Sequence, residues 1–239
     1  MSFVSLALAL TLVASGSEPL ALIPPPPPPP DVAVQAFIDT HVEPVVDATE
    51  GSAEWDRQVR ALYDYWAAVP WERYWAQWGA KGVHITPYLS RDDDGTLRAG
   101  WSGVVPSRLR LLALEPIAVR TDRVVPSSAL TASNCQRSNS STSGTTCVYN
   151  RVGPGASQSQ WTNNSSTLNY SFRMRTGYAL FSGATCFNTT NRATGAYATV
   201  RPGNTYVLSF TSTQNTTFAV AGYDNGLTVR KFLDCTGYL

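Results

Sequence analysis

Ala198-Thr-Val-Arg-Pro-Gly-Asn-Thr-Tyr-Val-Leu-Ser-Phe210 reads as a turn followed by a half-buried strand. Pro202-Gly203-Asn204 supplies the turn, because proline presets φ and glycine accepts positive φ. Beyond it, Tyr206, Leu208 and Phe210 alternate with Val207 and Ser209. A period of two puts the three large side chains on one face of a strand.

The same pattern extends in both directions. In residues 172–181, Phe172, Met174, Tyr178 and Leu180 face one way, with Arg173, Arg175, Ala179 and Phe181 opposite. Residues 217–223 and 227–233 form another pair, joined through Asp224-Asn225-Gly226. Short strands split by Gly, Asn, Ser and Pro from residue 132 onward predict an antiparallel β-sandwich or jelly roll.

The C-terminal region differs in composition from what precedes it. Of the 239 residues, 1–130 carry 10 basic and 15 acidic side chains, and 131–239 carry 8 and 2. About 40% of 131–239 is Ser, Thr or Asn. The net charge of +1 provides no overall field for nucleic acid or an anionic membrane. Four segments are expected: 1–23, 24–30, 31–130 and 131–239. The predicted class is α+β, mainly antiparallel β.

The four cysteines, Cys135, Cys147, Cys186 and Cys235, lie in the last segment and fit no zinc spacing. Four cysteines allow three pairings. Cys135–Cys147 would close a Ser/Thr loop, and Cys186–Cys235 would tie a mid-domain strand to the C-terminus. Two such bridges imply an oxidising final location; the alternative is buried free thiols.

Residues 31–130 begin with helices. Asp31 caps one and Pro44 ends it. Ser52 caps the next, whose Trp55, Val59, Leu62, Tyr63 and Trp66 recur at helical spacing. Pro70 opens a third, with Trp71, Tyr74, Trp75 and Trp78 on its stripe. The large rings predict either a core or a subunit interface, with Trp66, Trp71, Trp75 and Trp78 as the assembly surface. Asp92-Asp93-Asp94-Gly95 between apolar runs predicts a hairpin turn rather than a calcium loop, since the D-x-D-x-D-G spacing is missing. Residues 108–114 and 117–125 are expected as further strands.

Residues 3–15 are apolar and alternate Leu6, Leu8, Leu10 and Leu12 with small or polar residues. They read either as a secretory signal or as one arm of a strand hairpin spanning 1–23. The prolines of 24–30 form a stiff spacer. The apolar run is too short to span a membrane.

The stretch 198–210 resembles the "V-x-P-G-x-T-Y-x-L-S-F" strand of jelly-roll, carbohydrate-binding-type modules. These occur in secreted carbohydrate-active enzymes and in bacteriophage minor tail proteins. The resemblance covers residues 155–235. It implies a sandwich that contacts glycan through Trp161, with Tyr170, Tyr197 and Tyr223 beside it.

The sequence points away from catalysis. Gly100-Trp101-Ser102-Gly103 is not a nucleophile elbow, and His41 and His84 are the only histidines. A glycosidase needs two facing carboxylates, and 131–239 offers only Asp224 and Asp234. No phosphate loop, dinucleotide fingerprint or H-E-x-x-H occurs. The expectation is a non-catalytic, cofactor-free structural and adhesive protein on a virion surface, a minor tail protein. The alternatives are a secreted or cell-surface bacterial protein and, least supported, a secreted hydrolase. Expected partners are further copies of the chain, neighbouring structural proteins and cell-surface glycan.

Overall fold

The computed structural model describes residues 29–114, 117, 135, 137–153, 156–178, 190–213, 218–223 and 231–236. The expected hairpin of 1–23, most of the proline run, Cys186 and the Asp224–Gly226 turn lie outside these residues.

The described chain is α+β, with three helices and mostly antiparallel strands in two sheets. Helix α1 spans Val32–Thr40. Its cap is Asp31, whose Oδ1 accepts from the Ala33 and Val34 amides at 2.9 and 3.3 Å. Helix α2 spans Ala53–Ala68, and Ser52 Oγ accepts from the Trp55 amide at 3.0 Å. Helix α3 spans Trp71–Gln77. No helix among the described residues is long and apolar enough to cross a membrane.

The strands are β1 (Ile85–Arg91), β2 (Leu97–Pro106), β3 (Arg137–Ser140), β4 (Gly144–Gly153), β5 (Ala156–Asn163), β6 (Tyr170–Tyr178), β7 (Thr190–Thr194), β8 (Ala198–Val200), β9 (Asn204–Thr211), β10 (Phe218–Tyr223) and β11 (Lys231–Cys235). One sheet has the order β1-β2-β9-β5-β4-β3. The other runs β11-β10-β6-β7, with β8 paired to β6.

The change of composition near residue 130 is therefore not a boundary in the fold. Strand β2, from before it, pairs along its length with β9, from after it, with Gly100 opposite Phe210 and Pro106 opposite Asn204. Hydrogen bonding and face burial decide pairing, and both halves offer strands with one apolar face.

Period two then sorts the side chains of the six-stranded sheet. On one face, Ala99, Trp101, Val105 and Val207 join the helical residues in a single core cluster. On the other, Trp161, Tyr206, Leu208 and Phe210 join Phe172, Met174 and Ala221 from the second sheet. Ser159 Oγ donates to Thr176 Oγ1 at 2.8 Å within the buried region between β5 and β6.

The tryptophans expected at an assembly interface are instead mostly internal. Trp75 is fully buried, Trp66 and Trp71 nearly so, and Trp78 is half-buried against the same cluster. Two indole N–H groups of the cluster are hydrogen-bonded inside it: Trp71 Nε1 donates to Trp66 O at 2.8 Å, and Trp55 Nε1 to Leu97 O at 2.7 Å. Rings at helical spacing found their partners on the sheet below, and so are not left to a second subunit.

Residues 108–114 do not form the expected strand. They form two 3₁₀ turns, Ser107–Leu109 and Leu112–Leu114. Leu109 and Leu112 are both buried, a spacing of three that suits a 3₁₀ turn and not a strand. Two buried glutamines of β5 hold the segment to the sheet. Gln158 Nε2 donates to Ala113 O at 3.0 Å and Gln160 Nε2 to Arg110 O at 2.9 Å.

The Asp92–Gly95 turn forms as expected between β1 and β2. Asp92 Oδ1 accepts from the Asp94 and Thr96 amides at 3.0 and 2.9 Å, and Gly95 adopts φ 80°. Among the described residues, no group of three or more His, Cys, Asp or Glu is placed to hold a metal ion.

Candidate functional site

A cleft of about 450 Å³ opens where the base of the β1–β2 hairpin meets β8 and the turn into β9. Three segments build it. The first is Lys81–His84, which leads from α3 into β1; Gly79 and Gly82 take φ 73° and 71° there, so the chain folds back tightly. The second is the middle of β2, with Ser102 and Val104 on the cleft side. The third runs from Ala196 through β8 to Arg201.

The floor is rigid. Ser102 Oγ accepts from the Ala196 amide at 2.9 Å. Tyr206 Oη donates to Ala196 O, so both polar groups of that peptide segment are held by the six-stranded sheet. Gly195 permits the close crossing: a Cβ there would lie 2.2 Å from Tyr206 Oη.

Above the floor stands Tyr197, 58% exposed. Its Oη donates to Ser171 O at 3.0 Å, which fixes the ring while leaving much of it to solvent. Thr199 and Asn204 add hydroxyl and amide groups to the wall, and Lys81, His84 and Arg201 add cationic or basic ones.

Burial pushes the Tyr206 hydroxyl up to about 12, and the Tyr88 hydroxyl is also raised well above its ordinary value by burial. Both phenols are needed neutral: Tyr206 for Ala196 O, and Tyr88 for Ser209 O at 2.9 Å. An unfolded tyrosine ionises near pH ~10. The stability tied to Tyr206 is thus complete below about pH 10 and lost as pH rises towards 12. Urea midpoints at about pH 9 and 11 should show a loss of about 1 kcal/mol from Tyr206 at the higher pH, which Tyr206→Phe removes. Equal declines in both proteins would refute this role.

The residues expected at a binding face are scattered. Tyr197 lines the cleft. Trp161 does not: it is fully buried between the sheets, because the face of β5 that carries it is covered by β6. Tyr170 is half-buried and meets the Trp161 ring edge-on at 5.5 Å. Tyr223 is the last residue of β10. Sequence reasoning missed Lys81, His84, Thr199, Arg201 and Asn204. The one available signal was the Arg-Pro-Gly-Asn turn, whose first and last residues both face the cleft.

Cys135 and Cys147 are disulfide-bonded, with Cα atoms 5.7 Å apart. Leu114 and Tyr149 pack around this bridge. Cys235 is also disulfide-bonded, and its expected partner Cys186 lies outside the described residues.

The chain matches no protein-family model, no curated protein and no solved structure.

Proposed function

We propose that the chain is a non-catalytic adhesive protein of an exposed surface, a bacteriophage minor tail protein that contacts host glycan through the cleft beside Tyr197. In this reading the two sheets form a sandwich of jelly-roll type, and residues 31–106 brace it from the helical side. The observation that carries the proposal is the anchored, exposed ring of Tyr197 over a rigid polar floor. An aromatic face stacks on the C–H face of a sugar, and neighbouring hydroxyl and amide groups select its hydroxyls. The composition of the C-terminal part supports exposure to solvent, and the disulfides support an oxidising final location.

A secreted bacterial surface protein is the second reading, favoured by the same disulfides. Detection of the chain in purified virions, or instead in the cell-wall fraction, separates the two settings.

The test of the cleft is a glycan array probed with the full chain. Tyr197→Ala should weaken retention about tenfold while the melting temperature stays within a degree or so, as expected for an exposed stacking residue. Undiminished retention by the variant would sink the assignment of the cleft.

A further inference from the structure

Lys81, His84 and Arg201 all line the cleft, and no Asp or Glu is among its described lining residues. Five other arginines among the described residues pair with carboxylates. Arg57 pairs with Glu54, Arg73 with Asp31, Arg91 with Asp56, and Arg98 and Arg192 with Glu50. In the cleft, no described residue offers a hydrogen bond or an ion pair to the side chains of Lys81, His84 or Arg201.

Their backbones, in contrast, are set. The Gly79 and Gly82 turns place Lys81, and Arg201 accepts the Asn204 amide at 3.1 Å at the entry to β9. A single exposed cation is ordinary on a protein surface. Two of them and an imidazole lining one cleft without a carboxylate make a one-signed field, which a concave low-dielectric surface focuses.

We infer that the ligand of the cleft is an acidic saccharide, with its oxyanion held by Lys81 and Arg201 and its ring laid on Tyr197. The inference rests on the glycan reading proposed above and adds the ligand's charge. The guanidinium fork of Arg201 matches a carboxylate or a sulfate through two parallel N–H groups, and Lys81 acts as a point charge. Thr199 and Asn204 supply the neutral hydrogen bonds. A volume of about 450 Å³ suits a ligand of a few sugar rings at most.

The experiment applies the full chain to an array bearing uronic-acid, sialylated and sulfated oligosaccharides beside their neutral counterparts. Retention is expected on the acidic spots. The double variant K81Q/R201Q should bind them about tenfold more weakly at an unchanged melting temperature. Raising sodium chloride from about 50 to 500 mM should weaken the wild-type protein comparably. Uronic-acid and sialylated spots against sulfated spots distinguish the two oxyanions.

Retention on neutral glycans that is lost in Tyr197→Ala but kept in K81Q/R201Q would overturn the acidic ligand and leave the glycan reading standing. An array empty on all spots, or retention indifferent to Tyr197→Ala, would overturn both.

Discussion

Replacing Trp161 by alanine is expected to destabilise the fold by about 3–5 kcal/mol, the range for emptying an aromatic core position. The ring is fully buried. It meets Phe172 edge-on at 4.9 Å and Tyr170 at 5.5 Å, and its residue stands opposite Tyr206 in the β5–β9 register. Behind it the backbone of Gly144 comes so close that a Cβ there would lie 2.1 Å from the indole. The site cannot collapse easily, because strands hold both walls. Trp161→Phe should cost much less. It keeps a ring and removes an indole N–H that is buried without a hydrogen-bond partner. Urea denaturation of the three proteins measures both effects. An alanine variant that melts like the wild type but no longer binds glycan would put Trp161 back on the ligand surface.

Arg98→Met carries the second large effect. Arg98 is fully buried on β2, with Nε donating to Asp92 Oδ2 at 2.9 Å, Nη2 to Glu50 Oε2 at 2.7 Å and Nη1 to Thr211 O at 3.1 Å. Its guanidinium also lies 5.4 Å from the Trp55 ring centre. Arg192 from β7 shares Glu50 at 2.7 Å, and the Thr213 amide and hydroxyl occupy the other oxygen of that carboxylate. The cluster joins the segment before α2, the hairpin turn, β7 and the end of β9. Removing the arginine takes from buried Asp92 its hydrogen-bonded counter-ion and leaves it Arg192 at 3.8 Å, so a loss of about 3 kcal/mol, the lower end for breaking a buried ion pair, is expected. Adding Glu50→Gln to Arg98→Met should cost less than the sum of the two single changes, since the charges act as one unit. Strict additivity in this double-mutant cycle would show that Arg98 and Glu50 are not coupled.

Much of the local structure was legible in the residues themselves. Asp31 and Ser52 cap the helices they were expected to cap, because a short polar side chain at that position satisfies amides the helix leaves open. The hairpin around Asp92–Gly95 and the strand after Pro202-Gly203 follow from turn chemistry and alternation. The Cys135–Cys147 bridge follows from a short loop that brings the two sulfurs together. Residues 108–114 were misread because Leu109, Leu111 and Leu112 support two periodicities over so short a run.

The binding face was the least legible part. Alternation marks Tyr206, Leu208 and Phe210 as sharing a face but does not say whether that face meets water or another sheet. Tyr197 was visible as an aromatic residue in a polar region, while Lys81, His84 and Arg201 lie up to 120 positions apart in the chain. Nothing local links them.

From sequence alone, then, came many of the local conformations and the capping and turn positions. These depend on groups within a few residues of each other. Only the tertiary structure decided that β2 and β9 pair across the change of composition, that the tryptophans are core, and that three basic residues line one cleft. Those outcomes depend on which apolar faces cover one another and on where buried charges find their partners, free energies that exist only once distant segments have met.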